Sequence, residues 1–238
     1  MEHTYRIIAG TEEERKIINS VIDYILREYP ENINIDKLKT IEIVDALDND
    51  SSGRSIRDKI LLPRKYALEG IKLNGNIENN KVIDSDLQML IGTIYHELWH
   101  ITTWKKYEFM YEYVLDEQNP DVYTAFAYMY WIEYVAHMET VFMENVNVVK
   151  KFCEDFVCKK WHRIEYGYSY FVKVLPYYLV RAEFLEIFEE LTRKIVCDEL
   201  RMAVYEFAKV SKELFQNDEM QEIDKANIIK EMIVKLFE

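Results

Sequence analysis

The chain has 238 residues, of which 49% are hydrophobic, and it contains only six glycines and four prolines. This composition supplies a sizeable core but little material for tight turns, so it favours a mostly helical protein with long elements. The formal net charge of −13 argues against sequence-independent binding to nucleic acid, because an acidic surface repels the phosphate backbone.

The cysteines and the apolar segments indicate the cellular compartment. Cys153, Cys158 and Cys197 form no C-x-x-C pair, so they predict no disulfide framework and suit a reducing environment. The amino-terminal segment has no apolar stretch of signal-peptide length, and no window reaches the roughly 20 apolar residues of a membrane span. We therefore expect a soluble cytoplasmic protein with no membrane partner, and the sequence indicates no oligomeric state.

The first elements are a helix and short strands. An amphipathic helix is predicted over residues 11–29, because Thr11 and Glu14 have capping-box spacing and Pro30 stops it. Three short strands are then expected, with a turn over residues 48–53 between the first two. The strand candidates are Thr40–Val44, Lys59–Leu62 and Gly70–Asn74.

Every segment after Asp84 has a helical pattern. Ser85 and Gln88 match a capping box and begin a helix that extends to about Lys105. A cap and a proline at Asn119–Pro120 precede a long helix from Asp121 to about Phe156. The remaining helices are predicted over about 160–176, 177–194 and 198–238, the last broken near 217–218.

These elements predict an α+β, mostly α-helical protein with a small amino-terminal sheet. We expect a catalytic domain over residues 1–156 and a helical extension over residues 157–238. The extension is expected to pack on the catalytic domain, so that both form one continuous globular unit.

The sequence His96-Glu97-Leu98-Trp99-His100 contains candidate metal-binding and catalytic residues. Residues four apart share one face of a helix, so His96 and His100 can bind one zinc ion at about 2.0–2.1 Å. Glu97 lies beside them and is placed to polarise a zinc-bound water. Gly92, one turn earlier, either lets another backbone approach the metal or allows close helix packing.

The best third ligand is Glu133, the only charged residue between Ala125 and Val135. A lone carboxylate on an apolar helix is costly to bury unless it is paired, and a zinc ion would pair with it. Two alternatives remain open. In the first, His137, one turn later, is the third ligand. In the second, Glu133 is purely structural and its carboxylate is hydrogen-bonded by a tyrosine hydroxyl. If Glu133 binds zinc, His137 is expected to contact a ligand or the substrate.

The H-E-x-x-H sequence and Glu133-Tyr134-Val135-Ala136 resemble the gluzincin branch of the zincin metallopeptidases. The second motif is similar to the E-x-x-A form of compact bacterial and phage-associated peptidases, including the ImmA/IrrE-like group. The resemblance covers roughly residues 40–145. This chain departs from that group at Leu98-Trp99, where small residues are usual, and it lacks the Asn-x-Phe-Ala continuation after Ala136.

The resemblance implies a zincin-like fold and a zinc metallopeptidase acting on a peptide or protein substrate, with Glu97 as general base. A tyrosine or histidine should stabilise the oxyanion, with His137, His162 and Tyr166 as candidates. The substrate is expected along an edge strand, for which Lys59–Leu62 is the nominee, although that segment is equally compatible with an inner strand.

Two other functions fit the same residues. One is a zinc amide or ester hydrolase on the same scaffold. The other is a phage or mobile-element protein that acts by binding a partner. The intact Glu97 favours an enzyme, because loss of the base is the simplest route to an inactive relative.

Overall fold

The computed structural model describes residues 5–47, 51–75, 77, 84–116, 118, 121–159 and 167–237. Within these residues the protein is mostly helical, with one small four-stranded mixed sheet, which confirms the predicted α+β class. None of the helices in the described residues is long and apolar enough to cross a membrane.

The elements have the following bounds. The strands are β1 (Arg6–Ile8), β2 (Thr40–Val44), β3 (Arg54–Ile56) and β4 (Lys59–Pro63). The α-helices are α1 (Glu12–Glu28), α2 (Ser85–Thr103), α3 (Glu108–Leu115), α4 (Val122–Thr140), α5 (Val146–Cys158), α6 (Gly167–Phe184), α7 (Phe188–Thr192), α8 (Asp198–Phe215) and α9 (Glu222–Phe237). A π-helical turn covers Arg64–Leu68 and a 3-10 turn covers Val141–Met143.

The chain divides into two compact units. The first comprises Met1–Lys105 and Phe142–Val148, and the second comprises Lys106–Val141 and Val149–Glu238. The first unit holds the sheet with α1 and α2, and the second holds α3, α4 and α6 to α9. The functional division expected at residue 156 stays a prediction.

The sheet of the first unit has the strand order β1-β2-β4-β3. The pairs β1–β2 and β2–β4 are parallel, and β3 runs antiparallel to β4. In β2 and β4 alternate side chains are buried, which is the pattern of a half-buried sheet. Helix α2 packs against β3 and β4 and against α1, so its sequence motif lies beside the sheet.

Two of the three predicted strands are confirmed as β2 and β4. The third, Gly70–Asn74, is wrong: the segment is irregular, and Gly70 has a φ of +87°, in the left-handed region. The nomination of Lys59–Leu62 as an edge strand is also wrong. Because Arg54–Ile56 pairs with it as β3, β4 is internal and β3 is the edge.

Helix α1 begins where the capping box predicts. The Glu14 N–H donates to Thr11 Oγ1 at 3.1 Å, and the Thr11 N–H donates to the Glu14 carboxylate at 2.6 Å. The apolar face of α1 is buried through Ile17, Ile18, Val21, Ile22 and Ile25. Both the helix start and its buried face are therefore confirmed.

Helix α2 begins one residue away from the predicted cap. Asp84 is the N-cap, since its side chain accepts a hydrogen bond from the Leu87 N–H at 2.9 Å, and Ser85 is the first helical residue. An aspartate also suits this position because its negative charge interacts favourably with the positive end of the helix dipole. The predicted apolar stripe is buried through Leu87, Leu90, Ile91, Ile94, Leu98 and Ile101.

Helix α4 is the central helix of the second unit. It packs against α3, α6 and α9 and has buried side chains on every face, as an apolar helix in a core should. The predicted single helix from Asp121 to Phe156 is wrong, because α4 ends at Thr140 and α5 starts at Val146. The Asn145 side chain accepts hydrogen bonds from the N–H groups of residues 147 and 148 and so begins a new helix.

The helices near the carboxyl terminus differ from prediction at one proline. Pro176 lies inside α6, although a helix boundary was expected there. Its neighbours Leu175 and Tyr178 are fully buried, and α6 packs along α4, so tertiary packing offsets the lost helical hydrogen bond. The break near residue 217 is confirmed, with Asn217 accepting hydrogen bonds from two following N–H groups. Helix α3 was not predicted.

Asp121 ties together two helices of the second unit. Its side chain caps α4 through the N–H groups of Tyr123 and Thr124, and it accepts a 2.6 Å hydrogen bond from Lys230 on α9. The Lys230 hydrogen bond, followed by that of the Thr124 hydroxyl, lowers the pKa of Asp121 to about 2.

Replacing Asp121 with alanine should lower the free energy of unfolding by about 1 kcal/mol at neutral pH, because α4 loses its cap. A carboxyl group with a lowered folded pKa stabilises above its unfolded pKa of about 3.9 and loses this contribution as pH falls towards the folded value. Urea unfolding of both proteins should therefore show a difference that shrinks below about pH 4. Asp121→Asn, which retains a capping side chain, should lose less at neutral pH. A difference independent of pH would contradict the assignment.

Candidate metal centre

Helix α2 directs two imidazoles to one point. The Nε2 atoms of His96 and His100 lie 3.0 Å apart, and the rings meet nearly edge to face with centroids 4.6 Å apart. His100 is buried and His96 is half-buried. Two nitrogen donors one helical turn apart and aimed at each other suit a shared metal ion, because imidazole nitrogen is a common zinc ligand.

Glu97 is buried on the same helix and points to the sheet edge. The Ser55 hydroxyl of β3 lies 2.7 Å from Glu97 Oε2 and 2.9 Å from the Glu97 backbone oxygen, and it can donate to either. This contact holds the carboxylate and connects β3 to α2. Sequence reasoning missed Ser55, because a three-residue strand has too few positions for its alternation to be recognised.

Gly53 provides the space that the Glu97 carboxylate occupies. A Cβ atom at Gly53 would lie 2.7 Å from Glu97 Oε1 and 3.0 Å from Thr93 Cγ2, both closer than normal contact. The sequence reads Gly53 only as part of a turn. In the structure its missing side chain lets the strand approach the carboxylate.

Gly92 has a similar role on the other side of α2. A Cβ atom there would lie 3.1 Å from the backbone oxygen of Met143 and 3.4 Å from the Cα atom of Glu144. The backbone of residues 143–144 therefore packs closely on the helix. Of the two explanations offered by the sequence, close packing is the one that this contact supports.

Glu133 and His137 lie one turn apart on α4, in the second unit. The Tyr177 hydroxyl of α6 donates to Glu133 Oε2 at 3.2 Å, and His137 Nε2 lies 3.9 Å from the same oxygen. A tyrosine hydroxyl thus contacts Glu133, as one of the sequence alternatives proposed. A carboxylate accepts about four hydrogen bonds or ligand bonds, so this contact leaves capacity for a metal.

His137 is buried against the ring of Tyr177, with ring centroids 4.3 Å apart. Its predicted roles, as alternative third ligand or as a catalytic residue near the oxyanion, stay predictions. The other two candidates for oxyanion stabilisation, His162 and Tyr166, lie outside the described residues.

A separate open cavity of about 660 Å³ lies in the first unit, and none of the predicted site residues lines it. Arg64 lines it and pairs with Glu14 at 2.7 Å and with Asp45 at 2.6 Å. The Arg64 hydrogen bond lowers the pKa of Glu14. Since these charges compensate each other, we assign no ligand to this cavity.

The chain was also compared with known proteins. No family model matches the chain, and neither a curated protein nor a solved structure matches it. Its function is therefore inferred from the chemistry of its own side chains.

Replacing Gly53 with alanine should destabilise the protein by about 1–3 kcal/mol, because the new methyl group overlaps the Glu97 carboxylate. The φ angle of Gly53 is outside the left-handed region, so without this overlap the same change would stabilise by roughly 0.4–1 kcal/mol. Urea unfolding of a double-mutant cycle with Glu97→Ala measures the coupling. Gly53→Ala should destabilise the Glu97→Ala protein less than the wild type. An equal loss of unfolding free energy in both proteins would contradict the contact.

Proposed function

We propose that this chain is a zinc-dependent metallopeptidase of the gluzincin type, in which His96, His100 and Glu133 hold one zinc ion. One observation supports this most directly: the Nε2 atoms of His96 and His100 lie 3.0 Å apart, so the two imidazoles could share one ion. Two imidazoles and one carboxylate leave a tetrahedral position for water, which is the composition of catalytic zinc sites.

The surroundings of α2 support a zincin-like arrangement. The helix that carries both histidines packs beside a mixed sheet, and the edge strand β3 contacts the residue between them. Imidazole nitrogen and carboxylate oxygen suit zinc better than they suit calcium or magnesium, which prefer oxygen ligands alone. These features agree with the resemblance of the two sequence motifs to gluzincins.

When bound, a zinc ion would lower the pKa of a coordinated water and polarise the scissile carbonyl. Glu97 accepts the proton that the attacking water loses as its oxygen bonds to the carbonyl carbon. It then delivers this proton to the amine nitrogen as the C–N bond breaks, so the carboxylate is regenerated. The Ser55 hydroxyl, 2.7 Å from Oε2, orients this carboxylate.

The substrate is proposed to be a peptide that pairs with β3. Among the described strands, β3 pairs with β4 on one side only and has exposed or half-exposed residues. A peptide that adds to this edge by main-chain hydrogen bonds would pass close to Glu97, because Ser55 of β3 contacts that carboxylate. We thus propose β3, in place of Lys59–Leu62, as the strand that binds the substrate.

Purified protein should contain about one zinc ion per chain, and His96→Ala and Glu133→Ala should lose it, because each removes a ligand. Metal content after dialysis is measured by mass spectrometry. Glu139→Ala, an exposed carboxylate on the same helix as Glu133, is the matched control and should retain zinc. Unchanged zinc in both ligand variants would contradict the site, and loss in His137→Ala but not in Glu133→Ala would make His137 the third ligand.

Glu97→Gln should retain zinc but lower the rate of peptide hydrolysis by roughly 10²- to 10⁴-fold, because the amide cannot accept the proton. Cleavage of a diverse peptide mixture is followed by mass spectrometry, with ester and simple amide substrates tested in parallel. Equal peptide cleavage by the wild type and by Glu97→Gln would contradict the peptidase proposal. Hydrolysis of the esters or simple amides alone would identify the other class of zinc hydrolase.

A further inference from the structure

Helix α6 carries Tyr177 next to the proposed third ligand, and Arg181 one turn later. The Tyr177 hydroxyl donates to Glu133 Oε2 at 3.2 Å. The guanidinium of Arg181 lies over the Tyr177 ring, 5.4 Å from its centroid, and over the Phe152 ring, 4.7 Å from its centroid. No role for these residues follows from the sequence motifs.

The Tyr177 ring is held on more than one side. The His137 imidazole packs against it with centroids 4.3 Å apart, and the Phe152 ring lies 6.4 Å from it. Arg181 adds a cation–π contact, which is worth about 0.5–2 kcal/mol depending on exposure. A hydroxyl on a ring that is held in this way meets the carboxylate with little further loss of side-chain entropy.

We propose that Tyr177 is a positioning residue for the metal ligand Glu133, with Arg181 and Phe152 holding its ring; this inference rests on the proposed function. A glutamate has three rotatable side-chain bonds, so its carboxylate needs an external contact to stay in one orientation. The Tyr177 hydrogen bond supplies that contact at Oε2 and lowers the cost of ordering the ligand when the metal binds.

The neighbouring tyrosine shows what a purely structural hydroxyl does in the same helix. Tyr178 is fully buried, and its hydroxyl lies 2.8 Å from that of Thr192 in the core. Tyr177 is only half-buried and directs its hydroxyl to a carboxylate. The two adjacent residues therefore provide a test variant and a matched control.

The affinity for zinc tests the inference without any substrate. Tyr177→Phe, which removes only the hydroxyl, should raise the zinc dissociation constant about tenfold, at the lower end of the effect of losing such a contact. Tyr178→Phe should leave this constant unchanged even where it lowers thermal stability. Both are measured by competition with a chromophoric chelator, with Glu133→Ala in the same series.

The absorption spectrum of the cobalt-substituted protein gives a second readout, since its visible bands report the ligand geometry of the loaded protein. Tyr177→Phe should change these bands, whereas Tyr178→Phe should not. If Glu133→Ala weakens zinc binding but Tyr177→Phe alters neither affinity nor spectrum, the positioning role is wrong and the proposed function stands. If Glu133→Ala itself leaves zinc affinity unchanged, the proposed third ligand is wrong and the role of Tyr177 falls with it.

Discussion

Helix α2 brings two imidazoles and a carboxylate into a region that its leucine and isoleucine side chains make apolar. Polar groups in such a place cost free energy unless they find partners, and the cost is largest for a charge. Several features of the first unit accommodate these polar groups. Ser55 contacts the Glu97 carboxylate, Gly53 leaves room for it, and the histidines direct their nitrogens to one point. The edge strand is thereby fixed beside the residue proposed to act as base.

The second unit meets the same constraint in a different way. Helix α4 has buried side chains on every face, so Glu133 is a carboxylate in a mostly apolar and aromatic setting. Tyrosines suit this setting because they pack as large apolar groups and still offer a hydroxyl. Tyr177 uses both properties, since its ring packs on His137 and its hydroxyl donates to Glu133. The abundance of tyrosine in the sequence is therefore consistent with cores that contain polar groups.

Much of the local structure could be predicted from the sequence, because it depends on neighbours along the chain. The capping box of Thr11 fixed the start of α1, and β-branched alternation identified β2. The spacing of His96 and His100 placed both on one face of a helix, and the structure confirms that their nitrogens meet. The side chain of Asn217 accepts hydrogen bonds in the turn between α8 and α9, and this turn residue marks the last break in the sequence. Each of these depends on contacts within about four residues.

The tertiary structure decided what depends on segments distant in sequence. The pairing of β3 with β4 made Lys59–Leu62 an inner strand, and packing along α4 carried α6 through Pro176. The contacts of Ser55 with Glu97 and of Tyr177 with Glu133 join residues more than forty positions apart. A serine in a short strand or one tyrosine among eighteen has no local pattern that marks it. The sequence by itself thus determined the helix that carries the histidines and the residue types of the site, because helical geometry is local. Only the fold decided which side chains support them, because those contacts depend on how distant segments pack.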